Sequence, residues 1–450
     1  MLRCRVELSI LPGALLAVLL AFACRTGSER AEVIRQVDLD GDGRTDRFEI
    51  VDDGRGIDAV SAPEPGSDPP RTVVIAVDGI PREIFDELRR EGRFRAFFPA
   101  AGMVAPFPSL TDVSFTRIFR TERSAGYEDK FFDREANRIR GGVEARAAGG
   151  YKRFAPFHDV FDWESPRLWG AFVYLAPERV AIAEVDRIER LLRGGREAWQ
   201  ALYMGSTDGL GHELGWSALA EQLRRLDRVL VRWLASGGGS RRVVLFSDHG
   251  MSDGPTKRFD LQGSLERGGF HLADTLGEAR DVVAPAYGLI GSIHLYTRCG
   301  VEAEVARAVV SEAGADFAVW REGDRVVAVD ASGSATPLER APDEYPDLRS
   351  RVRRALFEPA VHNPANVIVS LEDGWHWGSS LFEPFVSMEG THGSARRTST
   401  VGFLASNVDR LPETVRAGEV HRWLGRELEP AEGARSHGPS VCRPPPAGRD

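Results

Sequence analysis

Three carboxylates, three imidazoles and one hydroxyl stand in five short segments of this 450-residue chain: Asp78, Thr111, Asp208, His212, Asp248, His249 and His392. The segments are far apart in sequence. Each lies at, or just beyond, the end of an apolar run that reads as a buried strand. Together they form a ligand set for two divalent cations that share a nucleophile. The chemistry that set suits is metal-assisted phosphoryl transfer.

Each segment also has a bland reading. Asp78 follows Val73-Val74-Ile75-Ala76-Val77 and precedes Gly79. In open parallel sheets ligands bind beyond the carboxyl ends of strands, yet a lone aspartate there is often only a helix cap. Asp208 and His212 are four apart, which puts both on one side of a helical turn; the bland reading is a capped helix with a surface histidine. Asp248-His249 follows Val243 to Ser247 and precedes Gly250. An unpaired ionised group buried there costs roughly several kcal/mol, so a cation is its natural partner. His392, between Thr391 and Gly393, is weak evidence alone and stronger as the seventh member of a set. Thr111 follows the loop Pro106-Phe107-Pro108-Ser109-Leu110 and opens an expected helix, whose N-terminal N–H groups suit an anion. A helix cap and a nucleophile are compatible roles for it.

The segments Val77-Asp78-Gly79, Pro108-Ser109-Leu110-Thr111, Thr207-Asp208-Gly209-Leu210-Gly211-His212, Ser247-Asp248-His249-Gly250-Met251 and Thr391-His392-Gly393 occur in this order. Their order and content resemble the type I phosphodiesterase / nucleotide pyrophosphatase family of the alkaline phosphatase superfamily, over roughly residues 72 to 425. The Asp-x-x-x-His and Ser-Asp-His-Gly-Met pieces are the most specific. The resemblance implies an alkaline-phosphatase-like fold and two zinc ions. It assigns Asp208, His212 and His392 to one metal, and Asp78, Asp248 and His249 to the other. Thr111 is then the nucleophile, coordinated to the second metal and passing through a phosphothreonine. Imidazole and carboxylate ligands suit zinc, and manganese or iron fit the same shell.

The chain departs from the family after the nucleophile. Asp112-Val113-Ser114-Phe115 stands where the family usually shows Phe-Pro-Asn-His, and the run Ser124 to Asp133 lacks the asparagine that holds a phosphate oxygen in the nucleotide enzymes. Lys130 and Ser114 are the substrate-binding candidates, with an exposed loop charge as the bland reading of Lys130. The expected activity is hydrolysis of a phosphodiester or phosphomonoester. A sulfatase needs a cysteine or serine where Thr111 stands. Transfer of a phosphoryl-linked headgroup, or a binding lipoprotein without catalysis, remain the alternatives.

The elements that must position these residues read as a doubly wound, mostly parallel α/β sheet. Thr72–Val77 is a continuous β-branched apolar run, the mark of a strand buried on both faces, and Trp199–Met204 and Val243–Phe246 are two further buried runs. Helices are expected near Pro81–Arg90, before Trp199, and through Leu219, Leu223, Leu226, Leu230 and Leu234. Residues 290–370 read as a small α+β inserted lobe, with a hairpin around Glu322-Gly323-Asp324. Val367–Leu371 and Thr400–Ala405 are expected to rejoin the main sheet. The catalytic unit thus spans 71–428, and 429–450 reads as a disordered tail.

The N-terminal region reads as an export device. Residues 1–24 carry Arg3 and Arg5 before an apolar run too short to span a bilayer, ending at Ala23-Cys24. Cys24 is the expected lipidation site of a bacterial envelope lipoprotein, periplasmic or surface-exposed, held to the membrane by lipid alone. Cys299 and Cys442 then remain to pair in an oxidising compartment. Residues 25–70 read as a tether, a calcium loop and a linker. Asp38, Asp40, Asp42, Asp46 and Glu49, with Gly43, fit the twelve-residue calcium pattern; an acidic solvated turn is the bland reading. A net charge of −9 argues against a nucleic-acid-binding surface and leaves a phosphate ester as the expected partner.

Overall fold

Strand β1 (Val33–Val37), β2 (Arg47–Asp52) and β3 (Gly56–Ser61) form an antiparallel sheet of their own in the computed structural model. The structure describes residues 33–52, 56–142, 153–165, 176–334, 337–380 and 386–431. The expected leader with Cys24, and the tail from residue 432, lie outside the described residues. Residues 33–37, 47–52 and 56–61 of the expected tether, loop and linker thus form this small sheet, and residues 25–32 lie outside the described residues. The third strand, Gly-Ile-Asp-Ala-Val-Ser, has an alternation too short to stand out beside the Gly and Pro around it.

The main sheet has seven strands: β4 (Arg71–Val77), β5 (Ala101–Val104), β6 (Trp163–Glu164), β7 (Trp199–Met204), β8 (Arg241–Ser247), β13 (Val401–Ser406) and β14 (Thr414–Arg416). Between β8 and β13 the chain builds a second sheet from β9 (Ser292–Leu295), β10 (Ala315–Glu322), β11 (Arg325–Asp330) and β12 (Val367–Leu371). The main sheet runs β14-β5-β13-β8-β4-β7-β6. Only β13 is antiparallel to its neighbours; the other pairings are parallel. The architecture is α/β with a mostly parallel sheet.

The β-branched run of β4 works because both faces are covered. Val73, Ile75 and Val77 pack into one core, under the helices α1 (Arg82–Arg90), α3 (Pro177–Gly194) and α4 (Ser206–Ala235). Val74 and Ala76 pack into the opposite core, with Phe115, Ile118 and Phe119 of α2 (Thr111–Phe119). Period-2 side-chain alternation with apolar residues at every position is what a doubly covered strand requires.

The second sheet pairs β9 with β12, β12 with β10, and β10 with β11, all antiparallel. Val367–Leu371 therefore belongs here and not to the main sheet. A continuous apolar run states burial on both faces but not which sheet supplies the neighbours. Helix α5 (Glu302–Val310) packs on this sheet, and α6 (Leu348–Phe357) lies between the two sheets' loops. Cys299 is disulfide-bonded, with its partner outside the described residues. Among the described residues, no helix is long and apolar enough to cross a membrane.

Candidate metal centre

Register explains why three of the five segments meet. Val77 of β4 pairs with Ser247 of β8 on one side and Met204 of β7 on the other. Three parallel strands therefore end level. The residues that follow, Asp78, Asp208 and Asp248-His249, are delivered to one rim of the sheet. The antiparallel β13 begins at the same rim, and Gly250 N–H donates to Ser399 O at 3.1 Å. This brings in His392 just ahead of β13. Thr111 arrives from β5 as the first residue of α2.

Two trios result. Ligand atoms of Asp208, His212 and His392 lie within 4.8 Å of one another, as do those of Asp78, Asp248 and His249. The rings of His249 and His392 stack at 4.1 Å between centroids and join the trios. Thr111 Oγ1 is 3.3 Å from Asp78 Oδ1 and 3.2 Å from His249 Nε2, and its hydroxyl proton can serve one of them at a time. All seven sequence candidates for this centre are thus gathered, and the six ligands are buried or nearly so.

The imidazoles are oriented by backbone carbonyls. His212 Nδ1 donates to Gly390 O at 2.8 Å, His249 Nδ1 to Gly250 O at 2.8 Å and His392 Nδ1 to Ser109 O at 3.2 Å. A carbonyl only accepts, so in the neutral rings the proton sits on Nδ1. Each Nε2 then turns a lone pair inward, as metal-bound histidines do.

The carboxylates are left with bare oxygens. Among the described residues, Asp208 Oδ1 and Asp248 Oδ2 are buried and accept no hydrogen bond. His212 Nε2 and His392 Nε2 approach Asp208 Oδ1 to 3.3 and 3.2 Å without hydrogen-bonding geometry. Burial, then the charges of Asp248 and Asp208, pushes the Asp78 carboxyl well above the usual range. Burial likewise pushes Asp248 up to about 7. Burial works against ionisation of Asp208, but the charge that His212 and His392 carry when protonated overcomes it and holds its carboxyl well below the usual range. Burial and the neighbouring His392 push His249 far down, which keeps its ring neutral. Buried carboxylates set this close repel one another when ionised, and a cation between them relieves that repulsion. The donor set therefore fits two divalent metals.

Two supporting residues escaped the sequence reading. The Tyr203 hydroxyl donates to Asp78 Oδ2 and orients that carboxylate. A tyrosine in the buried run of β7, just ahead of the Asp208 segment, was the available signal. Arg351 is fully buried in α6 and braces the nucleophile loop. Its guanidinium reaches Ala105 O at 2.9 Å, Pro106 O at 3.1 Å, Ser109 Oγ at 3.1 Å and Thr400 Oγ1 at 2.8 Å. Nothing in its arginine-rich sequence surroundings marks it out.

The substrate-binding candidates are not gathered. Lys130 lines a separate cavity with Arg258 and Trp377, which includes none of the seven centre residues. Lys130 opens the hairpin of residues 130–141, where it pairs with Gly141. Ser114 is buried, and its Oγ accepts and donates no hydrogen bond among the described residues. In the N-terminal loop Asp38, Asp40 and Asp42 converge within 4.8 Å. Asp46 is outside that group, and Glu49 turns to Arg47 Nη2 at 2.7 Å. The strand β2 carries Glu49 away where a calcium loop's exit helix would bring it back.

Comparison with known proteins agrees with this geometry. The chain superposes on phosphonoacetate hydrolase from Sinorhizobium meliloti 1021 in complex with phosphonoformate, with TM-score 0.51 and 12% identity, covering 84% of this chain and 98% of that one. It is also similar to human ectonucleotide pyrophosphatase / phosphodiesterase 5, with TM-score 0.49 and 13% identity, covering 81% and 97%. The fold is alkaline-phosphatase-like. No protein of curated function matches the chain. The sequence pattern of type I phosphodiesterase / nucleotide pyrophosphatase matches residues 125–394, which hold Asp208, His212, Asp248, His249 and His392; Asp78 and Thr111 precede the matched segment. With more than half of its length so matched, the chain belongs to the type I phosphodiesterase / nucleotide pyrophosphatase family, a family of phosphoester hydrolases.

Proposed function

We propose that this protein is an exported, metal-dependent phosphoric ester hydrolase that works through a phosphothreonine at Thr111. The observation that carries the reading is the pair of bare carboxylate oxygens facing three inward Nε2 lone pairs, with one hydroxyl between the trios. Asp208, His212 and His392 hold one cation, and Asp78, Asp248 and His249 the other; zinc suits them best. Bound there, the cations supply Lewis-acid stabilisation of the phosphoryl oxygens and ease ionisation of the hydroxyl.

The chain's own groups do the rest. Asp78 and His249 orient Thr111 Oγ1 toward an incoming phosphorus. A bond forms from Oγ1 to phosphorus as the bond to the leaving oxygen breaks, and the leaving oxygen takes up a proton. Water then cleaves the phosphothreonine, and the proton it releases restores the hydroxyl. Tyr203 keeps Asp78 in place, and Arg351 keeps the 105–109 loop from drifting. Small displacements of a nucleophile cost rate steeply.

Two further readings accompany this one. The Ala23-Cys24 segment supports lipidation and a place in the bacterial envelope. The convergence of Asp38, Asp40 and Asp42 supports a structural calcium ion in the β1–β2 loop, held without Glu49.

The test is an assay on paired nitrophenyl substrates, one phosphate monoester and one diester, with bound metal quantified in the same samples. Turnover of at least one is expected, and Thr111→Ala should lower it by about 1000-fold at unchanged metal content. Full turnover in that variant removes Thr111 from its role. No turnover and no bound transition metal in the parent protein sinks the enzymatic reading.

A further inference from the structure

The segment Ser247-Asp248-His249-Gly250-Met251 supplies two ligands and ends on a methionine that the chemistry above leaves unused. Met251 is fully buried, yet it belongs to neither of the two cores that flank the main sheet. Its backbone is tied down on both sides. Trp216 Nε1 donates to Met251 O at 3.0 Å, and Ser252 N–H donates to Thr391 O at 2.8 Å.

The side chain runs along glycines. A methyl group placed on Gly211 would overlap Met251 Sδ and stand 3.1 Å from Met251 Cε. One placed on Gly79 would stand 3.1 Å from the same Cε, and one on Gly390 3.2 Å from Met251 Cγ. Carbon atoms pack comfortably only at about 3.5–4.0 Å, so the thioether fills the room that three absent Cβ atoms leave. These glycines come from distant segments. Gly79 follows Asp78, Gly211 precedes His212, and Gly390 stands two residues before His392. Met251 itself stands two residues after His249. One side chain therefore lies against every segment that carries a ligand of the two trios. Its methyl end lies where the trios meet. The Cβ position of Gly79 is also 3.4 Å from His249 Cε1 and 3.6 Å from Asp208 Oδ1, one ligand of each trio.

We propose that Met251 is a positioning residue, an unbranched spacer that sets how far apart the two trios stand. This rests on the two-cation reading above. An unbranched thioether can thread between backbones where a branched side chain collides with them. Two cations must stand about 4 Å apart to serve both the attacking and the leaving oxygen. A misplacement of about 1 Å at such a centre costs roughly 100-fold in rate. With the spacer shortened, the Gly79 and Gly211 segments are free to shift toward each other, and each trio moves with its segment.

The experiment compares the full-length parent with Met251→Leu, Met251→Ala and the double variant Gly211→Ala/Met251→Ala. Zinc affinity is read by competition with a chromogenic chelator, kcat and KM on a nitrophenyl ester, and melting temperature on the metal-free protein. Leucine nearly conserves volume, so Met251→Leu should keep the metal-free melting temperature. Its branch meets the glycine backbones, so zinc affinity should still fall by about tenfold or more. Met251→Ala should lower kcat by about 100-fold with KM within about threefold. In the double variant the new methyl group takes up space that the sulfur left, so zinc should bind more tightly than in Met251→Ala. A leucine variant with the parent's zinc affinity and kcat overturns the proposal. So does one that loses melting temperature and zinc affinity in step, which is the mark of plain packing, and so does a double variant no better than Met251→Ala. Two zinc ions in the parent without ester turnover sink the hydrolase reading alone; fewer than two sink both.

Discussion

The protein holds two clusters of aspartates, and they are built on opposite principles. In the β1–β2 loop the carboxylates are satisfied by nearby groups. Asp38 accepts from Gly41 N–H at 2.7 Å and Gly43 N–H at 2.9 Å, Asp40 from Asp42 N–H at 3.1 Å, and Asp42 from Arg44 N–H at 2.8 Å. Arg95 and Arg410 add charge at 3.6 Å each. At the rim of the main sheet, Asp208 and Asp248 each keep a buried oxygen with no hydrogen bond among the described residues. The loop's carboxylates shape a turn, and any cation adds to a structure already formed. The rim's carboxylates are mutually repulsive, and the fold around them must hold them there. Stability and function are aligned in the first cluster and opposed in the second.

The strongest way to break this contrast is Asp248→Asn. Hydrolysis is expected to fall by about 1000-fold or more and one metal to be lost. The metal-free protein should become more stable by roughly 1–3 kcal/mol in urea unfolding, because a repelling buried charge is gone. A metal-free variant less stable than its parent contradicts the account of the rim.

A second buried acid behind the rim sharpens it. Glu184 of α3 is fully buried and accepts from Ser206 Oγ and Ser206 N–H at the start of α4. Burial pushes its pKa up to about 8. The folded state keeps a proton that the unfolded chain releases near 4.5. This contribution to stability is therefore full below about pH 4.5 and is lost as pH rises through about 8. Unfolding free energies measured across that window should fall by a few kcal/mol more in the parent than in Glu184→Gln. Parallel pH curves for the two proteins remove Glu184 from the account.

The smallest effect belongs to the loop. Asp38→Ala should cost about 1 kcal/mol, the loss of two amide hydrogen bonds at a turn. Hydrolysis should be untouched. A melting shift on adding calcium, present in the parent and absent in this variant, places a cation there; a drop in turnover would merge two clusters that the structure keeps apart.

The site was more legible in sequence than its surroundings. Asp-His beside glycine after Val243 to Ser247, and Asp208 with His212 one turn on, carry their chemistry in local spacing. The doubly covered strands were equally plain, since Thr72–Val77 has no polar face to offer water. What failed was anything needing a distant partner. Val367–Leu371 reads like a main-sheet strand until β9 and β10 claim it. Lys130 was offered in place of the family's asparagine, and it lines a cavity that none of the seven centre residues lines. Glu49 matched a loop pattern, but strand pairing with β1 and β3 governs where it points.

By itself the sequence determined the donor types, their local spacings and the buried strands that end beside them. Covalent neighbours and side-chain periodicity are short-range properties, and they survive without a fold. Only the tertiary structure decided that β4, β7 and β8 end level, that Tyr203 and Arg351 brace the centre, and that Met251 lies against glycines of three distant segments. Those outcomes depend on strand register and helix packing, which are set by contacts between residues far apart along the chain.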